Sequence, residues 1–396
     1  MERLLEKSAT LVQRVRAEKK RYLYHEINWK NRLIGIKGAR GTGKTTLLLQ
    51  KLQQLQLAPT EGTYWSLDDF YFTTHSLVET AEEFYKRGGK YLFLDEVHKY
   101  ENWSLHIKNL YDFYPELKIV FTGSSIIDIS REEGDLSRRV LMYSLFGLSY
   151  REYLAFNDVY NFEPISLKDI LSGDRKWSHM FPQDFRPLAH FEAYLEHGYY
   201  PFSMEDKEGY ATRLQQLLRL IVEYDMAELK GFDIRNAKKM LQLLHVVASN
   251  VPFQPNLSAV AVKSGIHRNS VLLYLHFLEQ AQLIKLLYPS GISLAGLQKP
   301  EKIYLDNTNL VFALAGSKPN AGNLRETFFI SQVLVRHRVA YPKQGDFLVE
   351  DTHTFEVGGK DKSNKQIKDV HNAFVVADNV EFPVGKLPLW LFGFLY

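Results

Sequence analysis

Residues 38 to 45 read Gly38-Ala39-Arg40-Gly41-Thr42-Gly43-Lys44-Thr45. The spacing is G-x-x-x-x-G-K-T, and each residue type has a use around a phosphate. Glycines let backbone N–H groups turn inward where a Cβ would obstruct. Lys44 can reach the β- and γ-phosphates as a point charge, and the Thr45 hydroxyl can ligate Mg²⁺. With Thr46 at the start of the following helix, residues 38 to 46 form the expected nucleotide cradle. The flanks suit it. Arg32-Leu33-Ile34-Gly35-Ile36 is an apolar run of buried-strand type. Thr46 to Leu52 begins a helix whose N-terminus faces the anion.

Binding is not hydrolysis, which needs a carboxylate for the metal and a base for water. Tyr91-Leu92-Phe93-Leu94 is followed by Asp95-Glu96. Asp95, at the tip of such a strand, would hold Mg²⁺, and Glu96 would polarise the attacking water. Standing alone, the pair reads equally well as two surface acids after a buried strand. A third strand, Leu117 to Thr122, ends in Gly123-Ser124-Ser125. A polar residue there sits between the first two motifs and can touch the γ-phosphate or the lytic water. Ser124 is the expected sensor, with Thr122 and Ser125 close behind. Arg138 and Arg139 offer a guanidinium that could reach a neighbouring subunit's γ-phosphate, or simply a pair of solvated or packing arginines. No guanine-reading N-K-x-D run stands out, so ATP is the expected nucleotide.

These residues need a frame. Strand Tyr64 to Asp68, a helix near 76 to 87 and a helix near 102 to 115 alternate with the strands above. That order predicts an α/β fold: a parallel sheet with helices on both faces and the ligand at the strands' C-terminal ends. The 396-residue length suggests about two to four domains. Hydrophobic residues at 45% and charged residues at 24% are ordinary for a soluble globular protein, and 13% aromatics supply core material. No apolar stretch approaches the roughly 20 residues of a membrane span, so no membrane partner is expected. Met1 to Lys7 reads as an amphipathic helix start and not as a signal peptide. The absence of cysteine excludes disulfides and cysteine–zinc sites and fits a cytoplasmic protein. A formal charge of +3 is too small to argue nucleic-acid binding unless the basic residues cluster locally.

Four stretches, GARGTGKTTLLLQ, YLFLDEVHKYENWSLHIKNLYD, IVFTGSS and RRVLMYSLFGLSYREYL, resemble the AAA+ ATPases of bacteria and archaea. Trp103 and the run at 148 to 154 are the more specific parts of that resemblance. It implies an ATPase followed by a winged helix and a C-terminal domain related to PD-(D/E)XK nucleases. It also implies ATP bound between protomers of a homo-oligomer. The family usually has Gly-Arg where this chain has Arg138-Arg139, which maps the finger onto Arg139. The expected division is a P-loop ATPase domain at 1–145, a helical lid at 146–245, a winged helix at 246–315 and a small α/β nuclease-like domain at 316–396.

Downstream residues fit that outline. Phe191 to His197 is a helix stopped by Gly198 and Pro201, and Leu214 to Ala227 carries a broad apolar stripe. Residues 256 to 287 read as a helix, a turn at Ser264-Gly265, and a second helix with Val271, Leu272, Tyr274, Leu275 and Leu278 inward. A strand follows. This is a helix-turn-helix with a wing. His267, Arg268, Asn269 and Ser270 open the second helix, where a DNA reader would meet bases or phosphates; a partner-packing face is the equal alternative. Glu326, Asp346, Glu356 and Lys360 resemble a PD-(D/E)XK site, in which carboxylates hold Mg²⁺ and a lysine orients water. The usual Glu-x-Lys spacing puts both side chains on one strand face. Here Lys360 is four positions after Glu356, with two glycines between.

The leading expectation is thus a Mg²⁺-dependent AAA+ ATPase that moves a DNA- or protein-binding module. An ATP-gated nuclease working at the C-terminal acids and a low-turnover ATP-binding switch are the alternatives.

Overall fold

Short, nearly continuous apolar runs, buried on both faces, build most of the first sheet. Strands β1 (Leu33–Gly38), β2 (Gly62–Ser66), β3 (Tyr91–Asp95), β4 (Lys118–Ser124) and β5 (Leu141–Ser144) run in the order β2-β3-β4-β1-β5. Every pairing is parallel. The computed structural model describes residues 1–124, 136, 138–172, 180–229, 231–249, 257–291, 299–315, 319–382 and 385–396. Ser125 therefore lies outside the described residues. So does the side chain of Asn269.

Helices α1 (Glu2–Arg14), α2 (Tyr22–Glu26), α3 (Lys44–Leu55), α4 (Leu77–Lys86) and α5 (Trp103–Phe113) accompany this sheet. Leu33, Leu92, Leu94, Ile119 and Phe121 share one core cluster with Leu77, Ala81 and Phe84 of α4 and Trp103, Ile107 and Leu110 of α5. The alternate residues Ile34, Phe93 and Val120 are buried but fall outside that cluster. They belong to the opposite face, as strand geometry requires, and α3 packs there. Trp103 sits against Phe121 with ring centroids 5.4 Å apart, so this residue serves the core. Strand β2 ends two residues before its expected limit. Asp69 caps the turn Phe70–Thr73 by accepting from the Tyr71 N–H, and that local bond draws the chain off the sheet.

The chain divides into two compact units, Met1–Phe146 and Gly147–Tyr396. The three segments expected beyond residue 146 fold as one unit. Its first helix, Tyr150–Phe156, opens with a capping box: the Ser149 side chain accepts from Glu152 N–H, and the Glu152 carboxylate accepts from Ser149 N–H. The Leu-Ser-Tyr-Arg-Glu run therefore has a structural use. The apolar stripe after Leu214 is carried by helix Tyr210–Leu220, a wider π turn at Ile221–Asp225 and a tighter turn at Met226–Glu228.

Helices Ala237–Ser249, Leu257–Ser264 and Arg268–Gln280 come next, then an antiparallel pair, β6 (Ile284–Leu287) and β7 (Lys302–Leu305). In the third of these helices Val271, Leu275, Phe277 and Leu278 are buried, while Leu272 and Tyr274 are only half-buried. The inward face is thus rotated slightly from the expected one. The chain ends in a mixed sheet ordered β12-β11-β10-β9-β8. These strands are β8 (Val339–Ala340), β9 (Phe347–Val349), β10 (His353–Gly358), β11 (Ala373–Ala377) and β12 (Leu387–Pro388). Helix Ala321–Val333 packs on it through Phe329, whose ring lies 5.0 Å from Phe347, 5.2 Å from Phe355 and 4.7 Å from Phe392.

Candidate nucleotide site

Strand β4 lies between β1 and β3, which opens a crevice at their C-terminal tips. Gly38 ends β1 because nothing larger fits there: a Cβ would stand 2.2 Å from the Leu145 carbonyl oxygen. Gly41 (φ 83°) and Gly43 (φ 95°) hold the left-handed turns that wrap the loop, and Gly43 leads directly into α3. Ala39, Thr42 and Lys44 are buried, Arg40 is half-buried, and Thr45 and Thr46 are exposed on the first turn of α3. The Lys44 ammonium donates to the carbonyls of Gly38 (2.9 Å) and Ala39 (3.1 Å). It lies folded along the cradle that its charge would share with a phosphate. Arg21, 4% exposed, donates to the Thr42 and Phe146 carbonyls and props the loop from behind.

Asp95 is surrounded by donors. Its carboxylate accepts from the Thr45 hydroxyl at 2.6 Å, the Tyr64 hydroxyl at 2.7 Å, the Thr122 hydroxyl and the Glu96 N–H at 3.2 Å. Burial, and then the Asp95 charge, push the Tyr64 phenol well above its ordinary range, so it stays a donor. Thr45 and Asp95 present hard oxygen atoms side by side, one from α3 and one from the tip of β3. That donor set fits Mg²⁺, which takes one or two protein oxygens beside substrate phosphates. Glu96 sits in the left-handed region (φ 53°), an arrangement that costs a non-glycine residue of order 1–3 kcal/mol. Its N–H also reaches the Thr122 hydroxyl at 3.3 Å. Ser124, at the β4 tip, directs its N–H to His98 Nδ1 at 3.4 Å.

The structure thus brings Lys44, Thr45, Asp95, Glu96, Thr122 and Ser124 to one crevice. Arg139 is elsewhere: it makes a forked pair with Asp112 of α5 at 2.8 and 3.0 Å, and a finger role would have to break that fork. Arg138 is exposed. Sequence reasoning missed Arg21, Tyr64 and His98. The first two are far from the motifs in sequence, and only strand register (Tyr64 beside Phe93, Ser66 beside Asp95) brings Tyr64 to the acid. His98 lay in plain view three positions after Asp95.

The C-terminal acids form a second cluster. Lys302 of β7 places its ammonium 3.0 Å from Glu326 and 3.1 Å from Asp346, and the Tyr304 hydroxyl donates to Glu326 at 2.7 Å. Burial pulls the Lys302 ammonium down, but Glu326 and Asp346 together hold it above its ordinary value. Burial raises Glu326 and Glu356 above the usual carboxylate range. Lys360, expected beside Glu356, is exposed past the end of β10. Lys362 takes the contact instead, 2.5 Å from Glu356. Gly358 permits it, since a Cβ there would stand 2.5 Å from the Lys362 Cδ. All three carboxylates are engaged by built-in ammonium groups. Among the described residues no group of three or more His, Asp or Glu is arranged to hold a metal ion. In this structure the lysines Lys302 and Lys362 occupy the carboxylates of the cluster.

Residues 30–154 match a family model described as an AAA domain, and residues 188–321 match one described as a domain of unknown function. A protein of Methanocaldococcus jannaschii, itself described as uncharacterized, is 28% identical over 325 residues, covering 75% of this chain and 67% of that protein. Among solved structures, AMPPCP-bound DnaA from Aquifex aeolicus is 18% identical with a TM-score of 0.26, over 65% of this chain and 84% of that one. The Hsp104–ADP complex of S. cerevisiae is 14% identical with a TM-score of 0.29, over 70% of this chain and 38% of that one. At those TM-scores neither likeness carries an argument. Among the described residues no helix is long and apolar enough to cross a membrane. Over residues 30–154, then, the chain is similar to the AAA domain family, and its parallel sheet and glycine loop have the P-loop NTPase fold.

Proposed function

We propose that this chain is a Mg²⁺-dependent ATPase that couples nucleotide state to a second module. The observation that carries it is the 2.6 Å contact between Thr45 and Asp95, which joins the glycine loop to the acid-tipped strand. The loop N–H groups and Lys44 hold the phosphates, and Thr45 and Asp95 hold Mg²⁺. Held there, the ion would supply charge neutralisation at the phosphates. Glu96 takes a proton from water as its oxygen attacks the γ-phosphorus and the bond to the bridging oxygen breaks, leaving ADP and phosphate. Ser124 reads the γ-phosphate from the β4 tip.

The three helices and antiparallel pair at 237–305 support a winged-helix reading of the second module. His267 and Arg268 are exposed at the start of its third helix, so duplex DNA is the proposed partner and a protein the alternative. A cytoplasmic homo-oligomer is part of the same proposal. The filled acid cluster gives no support to a nuclease.

ATP turnover of the full chain, with and without duplex DNA, tests the reading. Glu96→Gln should keep ATP binding and lose about 10²–10⁴-fold in turnover, and Lys44→Ala should lose ATP affinity. Wild-type turnover in Glu96→Gln, or undiminished affinity in Lys44→Ala, would overturn it.

A further inference from the structure

Val97–Lys99 make a single tight turn directly after the acid pair, with Glu96 as the residue that enters it. The ring of His98 points back into the crevice, and its side chain is 5% exposed. Its Nδ1 faces the Ser124 N–H. A backbone N–H can only donate, so Nδ1 must be the acceptor nitrogen. In a neutral imidazole the proton is then on Nε2. Burial, followed by the charges of Lys99, Lys44 and Arg40, pulls the imidazole down to about 3 and keeps it neutral. Nε2 lies 3.4 Å from Glu96 Oε2, yet it makes no hydrogen bond of good geometry. A buried donor left in that state is unfavourable, because its desolvation is not offset. A shift of a few tenths of an ångström in the Glu96 carboxylate would satisfy it.

We propose that His98 is a positioning residue that passes the state of the β4 tip, through Ser124, to the carboxylate of Glu96. The inference rests on the reading of Glu96 as the base. Ser124 fixes the ring's tautomer and tilt, and the ring fixes where the Glu96 carboxylate stands. Displacement of Ser124 by a γ-phosphate would turn the ring and reset Glu96 for water. The competing account is that His98 merely fills the core beneath the turn.

The test compares the full-length wild type with His98→Ala, His98→Gln and His98→Asn, measuring ATP turnover, fluorescent-ATP affinity and thermal melting. Glutamine places an amide N–H near the position of Nε2, whereas asparagine reaches only the position of Nδ1. The expected result is ATP affinity within about twofold of wild type throughout, with kcat down roughly 10–100-fold in His98→Ala and His98→Asn. His98→Gln should recover to within about fivefold of wild type. In a Glu96→Gln background, His98→Ala should cost nothing further, because the group it positions is gone. Equal loss in the glutamine and asparagine variants, or wild-type kcat in His98→Ala, would overturn the proposal. The glutamine–asparagine comparison decides even if the alanine variant does not fold. Absence of turnover in the wild type itself would overturn the base assignment, and this inference with it.

Discussion

Tyr64 shows how much of the site depends on single side chains outside the motifs. Its hydroxyl is one of several donors that hold the Asp95 carboxylate at the end of β3. A hydrogen bond to a charged group contributes about 1.5–3 kcal/mol. Tyr64→Phe keeps the ring and removes only the donor. We expect unfolding by urea to show a loss of about 1–2 kcal/mol, since Thr45 and Thr122 still serve the carboxylate. No change in stability would mean that the phenol is a passive neighbour. The same scale explains the fate of Lys360. The residue two positions after Glu356 is Gly358, and the space it leaves lets the stem of Lys362 cross the strand and deliver the amine from further along the chain.

At the scale of elements, β7 is stitched to helix Ala321–Val333 and to the residue preceding β9 by one buried ammonium. Lys302→Met removes that charge and leaves Glu326 and Asp346 facing each other. Breaking a buried pair by deleting one partner costs about 3–5 kcal/mol, and urea unfolding at neutral pH measures it. The alkaline side gives a second reading. The folded-state pKa of Lys302 is raised above its ordinary 10.5. Its stabilising contribution is therefore fully present below the unfolded value and is lost as pH rises through the folded one. Wild-type stability should fall above about pH 10.5, and the Lys302→Met variant should lack that part of the fall. An identical alkaline profile in the two proteins would remove Lys302 from the account. Glu326 follows the same sign in the acid range: burial raises its pKa, so its contribution is fullest below its ordinary value and is lost as pH climbs through the raised one.

For the whole molecule, a formal charge of +3 provides little general attraction for nucleic acid. If duplex DNA is the partner, affinity must come from local residues such as Arg268. Fluorescence anisotropy with a short duplex should then show weaker binding by Arg268→Ala across sequences and a log–log salt slope smaller by about one. Unaltered binding and slope would point to a protein partner for that helix. What the sequence by itself determined was the nucleotide crevice: the order of strands and helices, the glycine loop, and the acid-tipped strand. Those features are local, because a phosphate loop and a buried parallel strand each declare themselves in a few consecutive residues. Only the tertiary structure decided which side chains complete the crevice and which carboxylates are already neutralised. Tyr64 meets Asp95 across a strand pairing, Arg21 reaches the loop from the segment before β1, and Lys302 meets Glu326 across two elements. Such contacts depend on register and on the reach of long side chains, neither of which is written in the spacing of residues along the chain.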